Sequence, residues 1–337
     1  MAQLKKLAVG AAVAGAFALG AGQAAANSVY AGAEILINNL TVVFSPSSGA
    51  SVTSFTFNVS DSANLLGAPD AHSANCGGTI SSNTCSTSPP VLDAGAANAP
   101  GGTVTRSNLQ FTFFGPGTNT YANSESAILT AELVQGVPTS TGSVSEAELQ
   151  AGIGGQAQAT TNVQSNTILA LTFTVSSPGT LTVTFNADPY LLSFIDSLGL
   201  LSASSQANID AHLSLNGGGQ SAQWFPDGQI TGPTDFQTCS GGITCTEVAD
   251  SQSLNRQTNV GAPPVPVSDA YSTAPGFTPF SITISGLLAG TYSLALVADT
   301  SVNIFQTPLR QVPEPGTLLL LGAGLAGLGF ARRRIQR

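Results

Sequence analysis

The sequence predicts an all-β protein: an antiparallel β-sandwich of jelly-roll-like form with long loops, plus one short C-terminal transmembrane helix. Three observations carry this. Apolar residues recur at every second position in many stretches, Gly-, Pro- and Ser-rich turns separate those stretches, and each chain end carries an apolar run unlike anything in the body.

Taken in order, strand signals begin at residues 34–37 and 40–44, followed by a turn at Ser45-Pro46-Ser47-Ser48-Gly49. Residues 52–59 alternate cleanly, and Leu109-Gln110-Phe111-Thr112-Phe113-Phe114 reads as a further strand ended by Gly115-Pro116-Gly117. Residues 168–175 and 181–185 flank Ser176-Ser177-Pro178-Gly179 and read as a hairpin. Residues 282–284 and 292–297, flanking Gly286 to Gly290, read as another. Alternation with one wet face is the mark of antiparallel sheets, and two such sheets packed together make a sandwich.

One helix is expected, over residues 190–201, held short by Pro189 and Gly199, with a strand as the alternative. Residues 60–103 and 216–268 are dense in Gly, Pro, Ser and Asn and read as long loops. Gly261-Ala262-Pro263-Pro264-Val265-Pro266 reads as an extended connector, a crossover inside one sandwich or a link between two subdomains. Residues 40–44 with Phe57-Asn58 echo residues 171–175 with Phe185-Asn186, which in so alternating a chain reads as coincidence.

The two chain ends are address segments. Lys5 and Lys6 precede an Ala-rich apolar stretch at 7–19, and Ala24-Ala25-Ala26 supplies a small-residue cleavage pattern before Asn27. This is a Sec-type signal peptide over residues 1–26, with the bond after Ala26 as its cleavage point. At the other end Val312-Pro313-Glu314-Pro315 stands before the apolar run 317–331, and Arg332, Arg333 and Arg334 stand after it. That run is 15 residues, about 22 Å as a helix against a hydrocarbon core of about 30 Å, so it spans only with snorkelling arginines or a thinned bilayer. The arginines stay cytoplasmic by the positive-inside rule, which leaves Pro313-Glu314-Pro315 as an exposed, non-helical joint on the exported side.

This tail resembles the PEP-CTERM sorting signal of exopolysaccharide-producing Gram-negative bacteria: Val-Pro-Glu-Pro, a Gly- and Leu-rich membrane run, then an Arg-rich end. The resemblance covers only residues 312–337. It implies that an exosortase, an integral membrane cysteine transpeptidase, recognises and cleaves near Pro313-Glu314-Pro315. An ordinary membrane anchor is the plainer alternative; a GPI signal normally ends without a basic cluster, and no Leu-Pro-x-Thr-Gly sortase motif is present.

Removing the address segments leaves residues 27–311 as the exported body. It keeps three arginines, Arg106, Arg256 and Arg310, no lysine, and seventeen acidic residues, a formal charge of −14. So few cations exclude nucleic-acid binding and disfavour anionic lipid. Scarce lysine also leaves strand edges with few charged gatekeepers, so self-association is an expected corollary. Cys76 and Cys85, like Cys239 and Cys245, sit in Gly-rich segments and pair locally in an exported chain, stapling loops rather than holding the fold.

Catalytic, cofactor and metal sites are not expected. Asp70-Ala71-His72 and Asp210-Ala211-His212 carry the two histidines, but no Gly-x-Ser-x-Gly elbow accompanies them, and His212 reads as a strand histidine. Gly322-Ala323-Gly324-Leu325-Ala326-Gly327 has dinucleotide-fingerprint spacing but lies inside the membrane run, without a preceding strand. Glu146/Glu148 and Glu247/Asp250 read as solvated loop acids, Trp224 as a partly buried turn anchor, and Asp227 or Asp235 as a calcium ligand without supporting spacing. The leading expectation is a non-enzymatic exported protein of the cell surface or extracellular matrix. Its partners would be the Sec machinery, an exosortase, the inner membrane as a transient anchor, and exopolysaccharide. A carbohydrate- or calcium-binding sandwich using Trp224, Tyr190 or Tyr271 is the alternative, and a surface hydrolase comes third.

Overall fold

The computed structural model describes residues 28–46, 49–117, 119–131, 137–150, 155–163, 170–196, 200–230, 237–261, 266–272 and 276–308. The signal peptide and the whole C-terminal tail, including its expected membrane helix, lie outside these residues. Nineteen strands and no helix are found among the described residues. The first half comprises β1 (Ser28–Ser45), β2 (Ala50–Leu65), β3 (Ala68–Thr79), β4 (Ser82–Asn83), β5 (Leu92–Asp93), β6 (Ala97–Asn98), β7 (Tyr121–Thr130), β8 (Thr139–Gln150), β9 (Gly155–Val163) and β10 (Leu171–Val175). The second comprises β11 (Gly179–Ile195), β12 (Leu200–Gly217), β13 (Gln220–Trp224), β14 (Gln237–Ser240), β15 (Thr244–Asp250), β16 (Asn255–Gly261), β17 (Val267–Ser272), β18 (Thr278–Leu287) and β19 (Gly290–Pro308).

Two antiparallel sheets result. One runs β15-β18-β11-β1-β8-β7-β5, with β17 also on β11 and β6 also on β7; the other runs β14-β13-β12-β19-β10-β2-β3-β4, with β16 on β12 and β9 between β19 and β2. The two runs expected at 34–37 and 40–44 are one strand, β1. Its register slips on both sides around residues 37–41, where Asn39 takes a left-handed φ of 54°. A bulge of this kind lets one long strand carry two alternating runs out of phase.

Both expected hairpins are corrected. β10 lies in the second sheet and β11 in the first, and β18 and β19 are divided the same way. Their turns, like that between β1 and β2, therefore cross from one sheet to the other. Packed sheets stand only about 10 Å apart, so a short turn bridges them as readily as it reverses a strand, and alternation is identical in the two cases. The three crossings share one end of the sandwich: Val175 pairs with both Gly290 and Ala50, and Ser45 pairs with Thr180. Ser176 N donates to Gly49 O at 2.7 Å, joining two of them. The echoing segments 40–44 and 171–175 both lead into such a crossing, one from each sheet.

At that end the interior is aromatic. Phe44 meets Phe173 at 4.6 Å between ring centroids, Phe173 stacks on Tyr292 at 5.5 Å, and Phe185 stacks on Phe280 at 5.2 Å. Further along, the interior turns small and hydroxylated: Ser143 and Ser145 meet Thr300 at 2.9 and 3.0 Å, and Ser193 meets Thr258 at 2.8 Å. Hydroxyls paired with one another across the sheets are buried at low cost, which allows so polar a sequence to form a core.

The expected helix at 190–201 is also corrected. Residues 190–195 continue β11, and even Pro189 is a strand residue, opposite Ile35. Every second residue from Leu181 to Ile195 is buried, which is strand period rather than helix period. The regions read as long loops contain the end of β2, all of β3 to β6 and β13 to β16, and the start of β17. Polar sequences form strands there because neighbouring strands satisfy their backbone groups.

Both expected disulfides are present, with Cα–Cα distances of 4.9 Å for Cys76–Cys85 and 6.1 Å for Cys239–Cys245. The second does more than staple a loop. Cys239 lies on β14, at an edge of the second sheet, and Cys245 on β15, at an edge of the first. Cys76 lies on β3, and Cys85 begins the passage from that edge to β5 at the other edge of the first sheet. The Cys239–Cys245 bridge therefore joins the two sheets at one side of the sandwich, while Cys76–Cys85 closes the local β3–β4 loop; each contributes roughly 2–3 kcal/mol by loop closure.

Candidate functional site

The densest polar constellation among the described residues lies on the outer face of the first sheet, where β1, β8 and β7 run side by side. Register places Glu148 between Tyr30 and Tyr121, Glu146 between Gly32 and Asn123, and Val144 between Glu34 and Glu125. Residues 104–117 run across this face as an irregular segment, not the strand expected at 109–114. Their attachment is visible at two glycines. A Cβ on Gly32 would meet Phe113 Cε1 at 2.7 Å, and one on Gly142 would meet Phe111 Cε1 at 2.8 Å, so both rings lie directly on bare backbone. The alternating Phe111 and Phe113 that mimic a strand thus point together onto a sheet surface.

Arg106 locks this cover. Its Nη2 donates to Glu146 Oε2 at 2.6 Å, its Nη1 donates to the carbonyls of Gln110 and Thr112 at 2.6 and 3.1 Å, and the guanidinium lies 4.9 Å from the centroid of the Phe114 ring. Glu146 also accepts from Tyr30 Oη at 2.7 Å, Phe114 N at 3.1 Å and Gly115 N at 2.9 Å. Beside it, Glu148 accepts from Gly117 N at 2.7 Å, and Glu125 from Leu109 N at 3.1 Å. With four donors on its two oxygens, Glu146 is committed to holding the cover.

Glu146 and Glu148, read from sequence as solvated loop acids, are therefore buried strand residues, both 0 % exposed. Glu247 and Asp250 are buried strand residues as well, at 6 % and 1 %. Asp250 caps the turn after β13, accepting from Asp227 N at 2.9 Å and Gly228 N at 3.3 Å. Burial raises several carboxyls: Glu148 to about 7, Glu125 to about 8, and Glu34 to about 8 with Asp188 adding repulsion. In the interior, burial lifts Asp61 to about 8 even though Ser126 N donates to it at 3.0 Å.

Both histidines sit on strands beside the aspartate two residues earlier, as same-face neighbours must. His72 Nε2 is 3.4 Å from Asp70 Oδ1, and its Nδ1 is 3.0 Å from Gly95 O. His212 Nδ1 is 2.8 Å from Asp210 Oδ1, and its ring stacks on Phe225 at 5.1 Å. Asp210 faces Asp299 across the strand pair; burial first, then Asp210, pushes Asp299 up to about 7. Among the described residues no group of three or more His, Cys, Asp or Glu side chains is arranged to hold a metal ion.

The aromatic residues considered for sugar stacking are otherwise engaged. Trp224 is 0 % exposed, deeper than the turn anchor expected, and packs on Phe185 at 5.9 Å. Tyr190 packs on Phe113 at 5.0 Å, and Tyr271 lies under the Arg256 guanidinium at 5.0 Å while donating to Ser253 O at 2.9 Å. Arg106 was passed over in sequence reading. Its signal was rarity: an arginine kept in a body with three cations is there to be paired.

The remaining sequence-predicted sites, Ala24, Ala26, Asn27, Val312, Pro313, Glu314, Pro315, Arg332, Arg333 and Arg334, lie outside the described residues, as does Asp235. Comparison with known families reaches the tail directly. Residues 311–334 carry the PEP-CTERM protein-sorting motif. The PEP-CTERM motif marks an exported, envelope-targeted chain and implies processing by an exosortase. A comparison with curated proteins finds no match. Among solved structures, one from a study of promiscuous specificity in carbohydrate-binding modules of the β-sandwich superfamily aligns over 78% of this chain and 97% of its own, with 10% identity and a TM-score of 0.11. A score that low carries no argument about this chain.

Proposed function

We propose that this chain is a non-enzymatic exported protein, held briefly in the inner membrane by residues 317–331 as a short helix. An exosortase then cleaves it near Pro313-Glu314-Pro315, and the acidic β-sandwich passes to the cell surface or the extracellular polymer layer, where it contacts exopolysaccharide and copies of itself. The observation that carries this reading is the sorting motif at 311–334, placed directly behind a strand-built body. The chemistry of the body supports a structural role: its most elaborate polar cluster, around Glu146 and Arg106, holds down a covering segment. The carbohydrate- or calcium-binding alternative loses its main support with Trp224 buried.

Mass spectrometry of the mature protein from its host tests the processing. The expected product starts at Asn27 and ends close to Pro313-Glu314-Pro315. A mature chain still carrying Arg332 to Arg337 would overturn it.

A further inference from the structure

We propose that the sandwich stands on the membrane with one particular end down, the end opposite the three sheet crossings, and that this end rests on the bilayer interface while the tail is uncut. The inference builds on the anchoring role proposed for residues 317–331. Three observations point to it.

Both chain ends emerge at that end. Ser28, the first residue of β1, pairs with Gln150, and the Gln306 side chain near the finish of β19 donates to the Gln150 carbonyl. The signal-peptide junction and the sorting tail therefore leave the body side by side. The tether is also short. Eight residues lie between Pro308 and Thr317, at most about 30 Å of extended chain. β19 alone has 19 residues, about 60 Å of strand, so a standing body cannot turn its far end to the lipid.

The charged residue at the close of β11, Asp196, is 7 % exposed. Apolar side chains are exposed there: Leu66, in the turn between β2 and β3, is 49% exposed, and Phe305, three residues from the end of β19, is 41% exposed. The tether itself carries one charge of each sign, Arg310 and Glu314, and so is neutral overall toward anionic lipid. Exposed apolar residues beside a membrane anchor are suited to the interface.

Tryptophan quenching tests the orientation, with Trp224 as a buried and constant background. The full chain with its uncut tail is reconstituted in vesicles of phosphatidylethanolamine and phosphatidylglycerol carrying dibrominated acyl chains. Leu66→Trp and Phe305→Trp report on the proposed lower end, and Leu288→Trp, at a position 51% exposed beside the crossings, on the upper. Two lower reporters keep the test intact if one variant misfolds. Emission should be lost at 66 and 305 and retained at 288. Equal loss at both ends, no loss at either, or loss at 288 alone would overturn the orientation while leaving the anchor in place. A chain that fails to float with the vesicles would instead remove the anchoring role, and the orientation with it.

Discussion

Arg106 Nη2 and Glu146 Oε2 lie 2.6 Å apart with both side chains fully closed to solvent. The arginine comes from the covering segment and the glutamate from β8, so this contact joins two layers. Removing one partner strands the other charge in a site without water. Arg106→Met should therefore destabilise the body by about 3–5 kcal/mol. The double variant Arg106→Met with Glu146→Gln, which removes both charges but keeps an acceptor for the backbone N–H groups, should recover part of that loss. Urea unfolding of the singles and the double measures it, and a double variant weaker than Arg106→Met alone would contradict the pairing.

Gly32 predicts a local release rather than global failure. A Cβ there meets Tyr30 Oη at 2.6 Å and Phe113 Cε1 at 2.7 Å. Gly32→Ala should cost about 1–3 kcal/mol by overpacking and lift the covering segment from the sheet. Trypsin gives a clean readout, because the body has only three arginines and no lysine. Arg106, 3 % exposed in the parent, should resist cleavage there and become a cutting site in the variant. Equal resistance in both would show that the ring does not hold the segment down.

Stability should fall as pH rises. Asp61 and Glu125 titrate at about 8 and Glu148 at about 7 because burial penalises their charged forms. In the unfolded chain such groups titrate near 4, so between about pH 4 and pH 8 the native state binds more protons than the unfolded one. Stability is then greatest at the acid side of this window, declines through it, and levels off above the folded values. The urea midpoint should drop from mild acid to mild alkali. Asp61→Asn, which keeps an acceptor for Ser126 N, should make the decline shallower. A midpoint that rises over the same range would refute the assignment.

Some of this was legible in the residues themselves. Alternation at 52–59, 181–185 and 292–297 marks β2, β11 and β19, because a pleated strand sends successive side chains to opposite faces whatever its partners are. The two cysteine pairs followed from proximity in an exported chain. Misreadings arose where a local pattern has two tertiary meanings. Alternation around a tight turn fits a hairpin or a crossing between sheets, and residues 171–185 and 282–297 turned out to be crossings. Phe111 and Phe113 alternate as in a strand, yet they lie on Gly142 and Gly32. Glu146 and Glu148 look solvated in a stretch of Ser, Glu and Gln, and burial on both faces of β8 becomes visible only once a second sheet and a covering segment are in place.

The sequence alone determined where this protein is sent, since the sorting motif is a linear signal read by cellular machinery before or apart from the fold. It also determined that the body would be built from strands, because period is a property of the chain. Tertiary structure decided what the acidic residues do, which turns cross the sandwich, and that both chain ends emerge together at the end opposite those crossings. Those outcomes depend on which strands become neighbours, and neighbours far apart in sequence leave no mark in local pattern.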